Sequence, residues 1–246
     1  MDASSRPSPS PAERLVTDTI GLSLVKSTGR AYCRLFYRIE HHGMEHIPRQ
    51  GPCVIAPNHQ TFLDPVFVGA FVPRRVRFLA REDLFRIPLF GPFIRYLGAF
   101  PVDRSRPQKS AYLQCQEVLE VNRQCLILFP EGQRAREGAV QEFKLGAVRL
   151  ALSFRAALVP CSILGGYHVW PPHRKLPRPG KIHVIFHPPL EVPEDFGRNP
   201  VEDKIRLREI GRELQARVLQ PSGRINFLTR LPGALPPDEK TQAGPI

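Results

Sequence analysis

Apolar and polar positions change period several times along the chain. Short runs rich in Val, Ile, Leu and Phe, at 54–56, 76–79, 99–102, 125–129, 158–164 and 182–186, have the length and composition of strands. Between them, apolar residues recur three and four apart, which predicts helices over 65–71, parts of 84–96, 108–122, 143–154 and 202–219. Strands alternating with helices imply an α/β fold: one domain with a central, largely parallel or mixed sheet and helices on both faces. Ahead of the first strand, Leu15, Val16, Ile20, Leu24 and Val25, then Tyr32, Leu35 and Phe36, fall at helical spacing, while Arg14, Lys26, Arg30, Arg34 and Arg38 lie mostly elsewhere. This basic amphipathic segment, 13–38, suits a helix lying in a membrane interface or, equally, a helix covering the core; Gly21 and Gly29 weigh against one unbroken helix.

Composition narrows the picture. With 246 residues, 42% of them hydrophobic, the chain suits one sizeable core and not two full domains. The folded part is expected over 39–220 together with the amphipathic segment. The serine- and proline-rich residues 1–12 and the proline-rich tail 221–246 are expected to be disordered. Lys and Arg exceed Asp and Glu to give a net charge of +12, so a polyanionic partner is expected: nucleic acid, an anionic membrane or a phosphorylated substrate. Clustered basic residues interleaved with stacking aromatics are missing, which argues against nucleic acid. No apolar run approaches the roughly 18 to 20 residues of a spanning helix, and the first residues lack a signal-peptide core. Cys33, Cys53, Cys115, Cys125 and Cys161 are an odd number without close pairs; a reducing compartment is expected, with Cys125 and Cys161, inside apolar runs, in the core. His41, His42 and His46 read as a polar loop, and no metal site is expected.

The candidate chemistry gathers where the strands end. Asn58-His59-Gln60-Thr61-Phe62-Leu63-Asp64 follows the run at 54–56 and precedes Pro65. A carboxylate on one ring nitrogen of a histidine fixes the tautomer and makes the other nitrogen a better base. Residues five apart do not share a helix face, so His59 and Asp64 meet only if the chain wraps in a turn, with Asp64 capping a helix that Pro65 begins. Asp103-Arg104 follows the run at 99–102, and Glu131, Gly132 and Arg134 follow that at 125–129. In an α/β sheet ligands collect outside the carboxyl ends of the strands. There Arg104 and Arg134 would offer forked donors to a phosphate, Glu131 would hold a hydroxyl or balance the arginines, and Gly132 would let backbone approach a ligand. Lys144 is a further candidate for the same anion, and Trp170 with Arg174 and Lys175 for contact with membrane or donor.

The order and spacing of NHQTFLD (58–64), GAFPVDR (98–104), FPEGQRA (129–135) and LVPCSI (158–163) resemble the four blocks of the 1-acyl-glycerol-3-phosphate O-acyltransferase family, and FKLGA (143–147) resembles the segment after its third block. The resemblance covers roughly 40–190. It implies a peripheral or monotopic enzyme on the cytoplasmic side of a membrane, with an acyltransferase domain over 39–220. It implies acyl transfer from acyl-CoA or acyl carrier protein, as co-substrate and with no other cofactor, to the free hydroxyl of lysophosphatidic acid. It also implies His59 as base, Asp64 as its support, and Arg104, Glu131, Gly132 and Arg134 at the acceptor. Gln133 and Ala135 stand where many members carry Thr and Ser, and Thr61 where Ser is frequent. Another lysophospholipid or a non-glycerol lipid is the alternative acceptor, and a non-catalytic, basic membrane-surface or nucleic-acid-binding protein the alternative class.

Overall fold

A computed structural model describes residues 11–102, 109–135, 138–193, 195–197 and 199–220. Seven strands form one mixed sheet: β1 (Glu40–His42), β2 (Cys53–Pro57), β3 (Val76–Arg81), β4 (Ala99–Val102), β5 (Cys125–Ile127), β6 (Ala157–Leu164) and β7 (His183–Phe186), in the order β1-β7-β6-β2-β5-β3-β4. Pairing is parallel throughout except between β6 and β7, so β1 and β7 run against the rest. Seven helices accompany it among the described residues: α1 (Pro11–Tyr37), α2 (Asp64–Gly69), α3 (Phe90–Tyr96), α4 (Lys109–Gln116), α5 (Gly146–Ser153), α6 (Gly166–Val169) and α7 (Pro200–Leu219).

Every residue of β2 is buried, as a central strand covered on both faces requires. Its side chains divide by the pleat: Cys53 and Ile55 join a core with Tyr37, Phe67 and Ile94 from α1, α2 and α3, while Val54 and Ala56 join a second core with Cys115, Leu150 and Leu214 from α4, α5 and α7. Helices therefore cover both faces. All five cysteines are buried and free, as expected of small core residues.

Several elements differ from the sequence expectation. β1 runs through the segment expected as a polar loop: His41 stacks on Phe71 with ring centroids 3.9 Å apart and its Nε2 meets the Phe67 carbonyl at 2.9 Å, so a polar-looking triplet is an edge strand. Three residues are too few to show a period. The helical stretch expected within 84–96 is split into a 3₁₀ turn, Glu82–Arg86, and α3. The cause is Pro88, which disfavours helical backbone at the preceding residue; Ile87 is extended at φ −73 and ψ 122 at the end of the 3₁₀ turn.

 α4 closes in a π-helical turn, Glu117–Val121, and the last strand-to-helix connection before β6 delays α5 to Gly146.

α1 starts at Pro11, inside the stretch expected to be disordered, and from residue 21 its side chains divide. Cys33 and Tyr37 are fully buried in the core, Lys26 donates to the Val72 and Arg74 carbonyls at 3.0 Å each, and Arg30 donates to that of Ala70 at 2.7 Å. Leu24 and Leu35 point to solvent. The carboxyl-terminal half of α1 is thus a core helix that keeps an apolar outer face.

Candidate active site

The turn after β2 is shaped by its polar side chains. Asn58 donates from its amide to the Ile163 carbonyl at 3.0 Å and accepts from the Ile163 amide at 2.7 Å, which ties the turn to β6. Asp64 is wholly buried at the start of α2, with Leu63 in the capping position and not Asp64 itself. Its Oδ2 accepts from the Gln60 and Thr61 backbone amides at 2.6 and 2.8 Å, and its Oδ1 from the Thr61 hydroxyl at 3.0 Å. These donors wrap the chain around the carboxylate, and His59 Nδ1 completes the ring at 2.8 Å from Oδ2. A carboxylate only accepts, so Nδ1 carries the hydrogen and Nε2 is left with a free lone pair. The imidazole is further fixed by stacking on Phe129, centroids 4.1 Å apart.

Glu131 is buried beneath the same turn. One carboxylate oxygen accepts the His59 backbone amide at 2.6 Å and the other that of Gln141 at 2.8 Å. Burial pushes its pKa up to about 7, against the lowering effect of those two amides and with a smaller upward push from Asp64. Both oxygens are thus engaged by backbone, and Glu131 fixes the turn that bears the imidazole. The His59 carbonyl accepts in turn from the Ala135 amide at 2.8 Å, so the third block clasps the first from both sides.

His59 lines a cavity of about 820 Å³ bounded by the carboxyl ends of β3, β4 and β5 and by α4 and α5. Leu79, Val102, Ile127, Leu128 and Leu150 give it apolar walls, and Arg81, Lys144 and Arg149 supply cations. Gly132 also lines it, at φ 69, where any side-chain carbon would crowd Lys144. Arg134 stands apart from that lining. Its guanidinium lies 3.5 Å over the Phe62 ring, burial lowers its pKa from the ordinary arginine value, and its Nη1 is buried without a hydrogen-bond partner among the described residues. Phe62 in turn meets Trp170, whose indole donates to the Arg174 carbonyl at 3.0 Å, so the loop holding Trp170 packs on the His-to-Asp turn. Arg104 lies outside the described residues.

Arg81 and Arg149 escaped the sequence reading. Arg81 ends β3 in register with Val102, so the rule that ligands sit beyond carboxyl strand ends was the signal for it. It is forked onto Asp83 at 2.9 and 2.7 Å, which holds the Asp83 carboxyl below its ordinary range. Arg149 had no such signal, because its place depends on how α5 rotates against the sheet. Glu40 and His42 on β1 and His183 on β7 bring potential metal-ligand atoms within 4.8 Å of one another, three and two strands from β2; Lys181 already pairs with Glu40 at 2.9 Å.

A family model described as Acyltransferase matches residues 38–164. A chloroplast 1-acyl-sn-glycerol-3-phosphate acyltransferase of Arabidopsis thaliana is 30% identical over 159 residues, which are 63% of this chain and 44% of that protein. A 1-acyl-sn-glycerol-3-phosphate acyltransferase of Bacillus subtilis is 29% identical over 185 residues, 75% of this chain and 88% of that one. The crystal structure of the 1-acyl-sn-glycerophosphate acyltransferase from Thermotoga maritima superposes with a TM-score of 0.65 at 27% identity, covering 85% of this chain and 84% of that chain. The chain spans about half the length of several curated relatives it matches, 44% and 52% for two plant proteins. His59, Asp64, Glu131 and Arg134 all fall inside the matched span, and the chain that holds them belongs to the acyltransferase family.

Proposed function

We propose that this protein transfers a fatty acyl group from a thioester, acyl-CoA or acyl carrier protein, to the free hydroxyl of lysophosphatidic acid at the cytoplasmic surface of a membrane, forming phosphatidic acid. The observation that carries the reading is a histidine backed by a buried carboxylate at the wall of a cavity that combines apolar side chains with the cations Arg81, Lys144 and Arg149. Such a cavity suits an amphiphile with an anionic head. No helix among the described residues is long and apolar enough to cross a membrane, which suits attachment at the surface.

In this mechanism His59 Nε2 takes the proton of the acceptor hydroxyl as its oxygen attacks the thioester carbonyl carbon. Asp64 holds the imidazolium in place. Collapse of the tetrahedral intermediate forms the ester, breaks the carbon–sulfur bond and returns the proton from His59 to the departing thiolate. Arg81 and Lys144 attract the acceptor phosphate, with Arg134 and Arg104 as further donors from the third and second blocks.

The test is thiol release by purified protein given vesicles, lysophosphatidic acid and either donor. His59→Ala should lower kcat by roughly a hundredfold or more while the protein stays folded. An unchanged rate would refute the assigned base, and a panel of lysolipids with other head groups decides the acceptor.

A further inference from the structure

The crossover from β3 to β4 leaves an apolar surface that the acyl-transfer chemistry does not use. α3 reads Phe90-Gly91-Pro92-Phe93-Ile94-Arg95-Tyr96, with one charged residue. Its inner positions, Gly91 and Ile94, are buried, yet the outward stripe is apolar as well: Phe90, Phe93 and Tyr96 are 42%, 46% and 40% exposed. Leu89, just before the helix, is 88% exposed and held at φ 64 and ψ −43, a positive-φ conformation that a leucine rarely adopts. Ile87 adds a fifth exposed apolar side chain beside it. A helix apolar on every side belongs in a protein core or in lipid. This one projects outward.

Position and charge choose the occupant. The crossover leaves β3 at Arg81 and returns to β4, which ends at Val102; both residues line the cavity that His59 faces. The apolar stripe is bracketed by Arg86, whose side chain is 78% exposed though it also pairs with Glu82, and by Arg95, whose guanidinium lies 4.9 Å over the Phe85 ring. α1 runs against the far end of α3, where Gly21 leaves no room for a side-chain carbon beside the Tyr96 hydroxyl. The whole chain carries a net charge of +12. Apolar tips flanked by arginines are the chemistry of the boundary between acyl chains and anionic head groups.

We infer that the segment from Arg86 to Tyr96 is an insertion wedge: Leu89, Phe90 and Phe93 enter the outer part of an anionic lipid layer, Arg86 and Arg95 meet its phosphates, and the cavity rim is brought to the surface where a lipid substrate would enter. The wedge is a contact separate from α1. It rests on the reading of the substrate as a lipid, but lipid binding is measured with no substrate present, so failure of the chemistry and failure of the wedge are distinguishable.

The experiment uses the full chain and vesicles of phosphatidylcholine alone or with one third phosphatidylglycerol. The double variant Leu89→Ser/Phe93→Ser should bind the anionic vesicles at least about tenfold more weakly than the parent, since two apolar side chains no longer leave water. Its thermal unfolding should be unchanged, because both side chains are exposed. Leu89→Cys carrying an environment-sensitive dye should shift to the blue on anionic vesicles and lose that shift in high salt. The inference is overturned if the dye does not respond to either vesicle, or if the folded double variant binds like the parent. It is also overturned if the parent is a dimer that the double variant dissociates while vesicle binding persists, since the stripe would then be covered by a second copy.

Discussion

Thr61 shows how one hydroxyl can hold the His59–Asp64 geometry in place. It donates to Asp64 Oδ1 at 3.0 Å and accepts the Leu63 amide at 2.8 Å, so it joins the carboxylate to the start of α2. Serine, frequent in the family at this place, offers the same donor and acceptor. Thr61→Ser should therefore retain turnover, whereas Thr61→Val, which strands a buried acceptor and a backbone amide, should cost about 1–3 kcal/mol of stability and lower kcat. Denaturant unfolding and steady-state rates for the pair check this. Glu131 gives a prediction in pH. Its folded pKa of about 7 lies above the ordinary 4.5, so between those values the folded state binds more protons than the unfolded one. The stability it contributes is fully present below pH 4.5 and is lost as pH rises to about 7. Glu131→Gln removes that dependence, and the difference in unfolding free energy between parent and variant, followed across the same window, should change with this sign. A flat difference would place the titration elsewhere.

At the scale of elements, α1 answers the question its sequence leaves open. Tyr37 is buried against Phe67, ring centroids 5.2 Å apart, and its hydroxyl meets that of Tyr32 at 3.0 Å. Tyr37→Ala should destabilise by about 3–5 kcal/mol, as for other large buried rings, and Tyr37→Phe by only about 1 kcal/mol. Removing residues 1–37 should abolish cooperative unfolding, measured by calorimetry, and not merely weaken lipid binding. Amphipathicity alone could not decide this, because a stripe of Leu, Val and Tyr suits a protein core as well as a lipid surface; the tether from Lys26 and Arg30 to carbonyls between Ala70 and Arg74 is what distinguishes them. The other elements differ in legibility for similar reasons. β2, β5 and β6 are continuous apolar runs bounded by turns and were readable from composition. β1 was not, since its His41 owes its place to Phe71 and Phe67, residues distant in sequence. The His59–Asp64 pair was readable as a spacing, but the role of Glu131 was not, because only the folded chain brings its carboxylate under the His59 amide.

Across the whole molecule, the sheet separates two cores, and the cavity lies on the side filled by α4, α5 and α7. α4 and α5 leave room for it with small side chains at the strand ends: Ala111, Cys115, Gly146 and Ala147 line it beside Tyr112 and Leu150, while Leu119 in the turn after α4 and Leu152 on α5 fill the neighbouring core. A void walled this way has a length set by those small residues, and a bound acyl chain would feel each of them. Ala111→Leu places three more carbons in that space without introducing a polar group, so it should discriminate by chain length and leave the histidine intact. Each methylene excluded from an apolar pocket is worth about 1–3 kcal/mol, so one displaced carbon pair already changes kcat/KM by tenfold or more. The expected outcome is a lower kcat/KM for long-chain donors with little change for short ones, measured across a series of saturated acyl thioesters. A parallel series of lysolipid acceptors identifies which substrate's chain occupies the cavity: if Ala111→Leu alters the acceptor series and spares the donors, the cavity belongs to the acceptor, and if both series are unchanged, neither chain lies there.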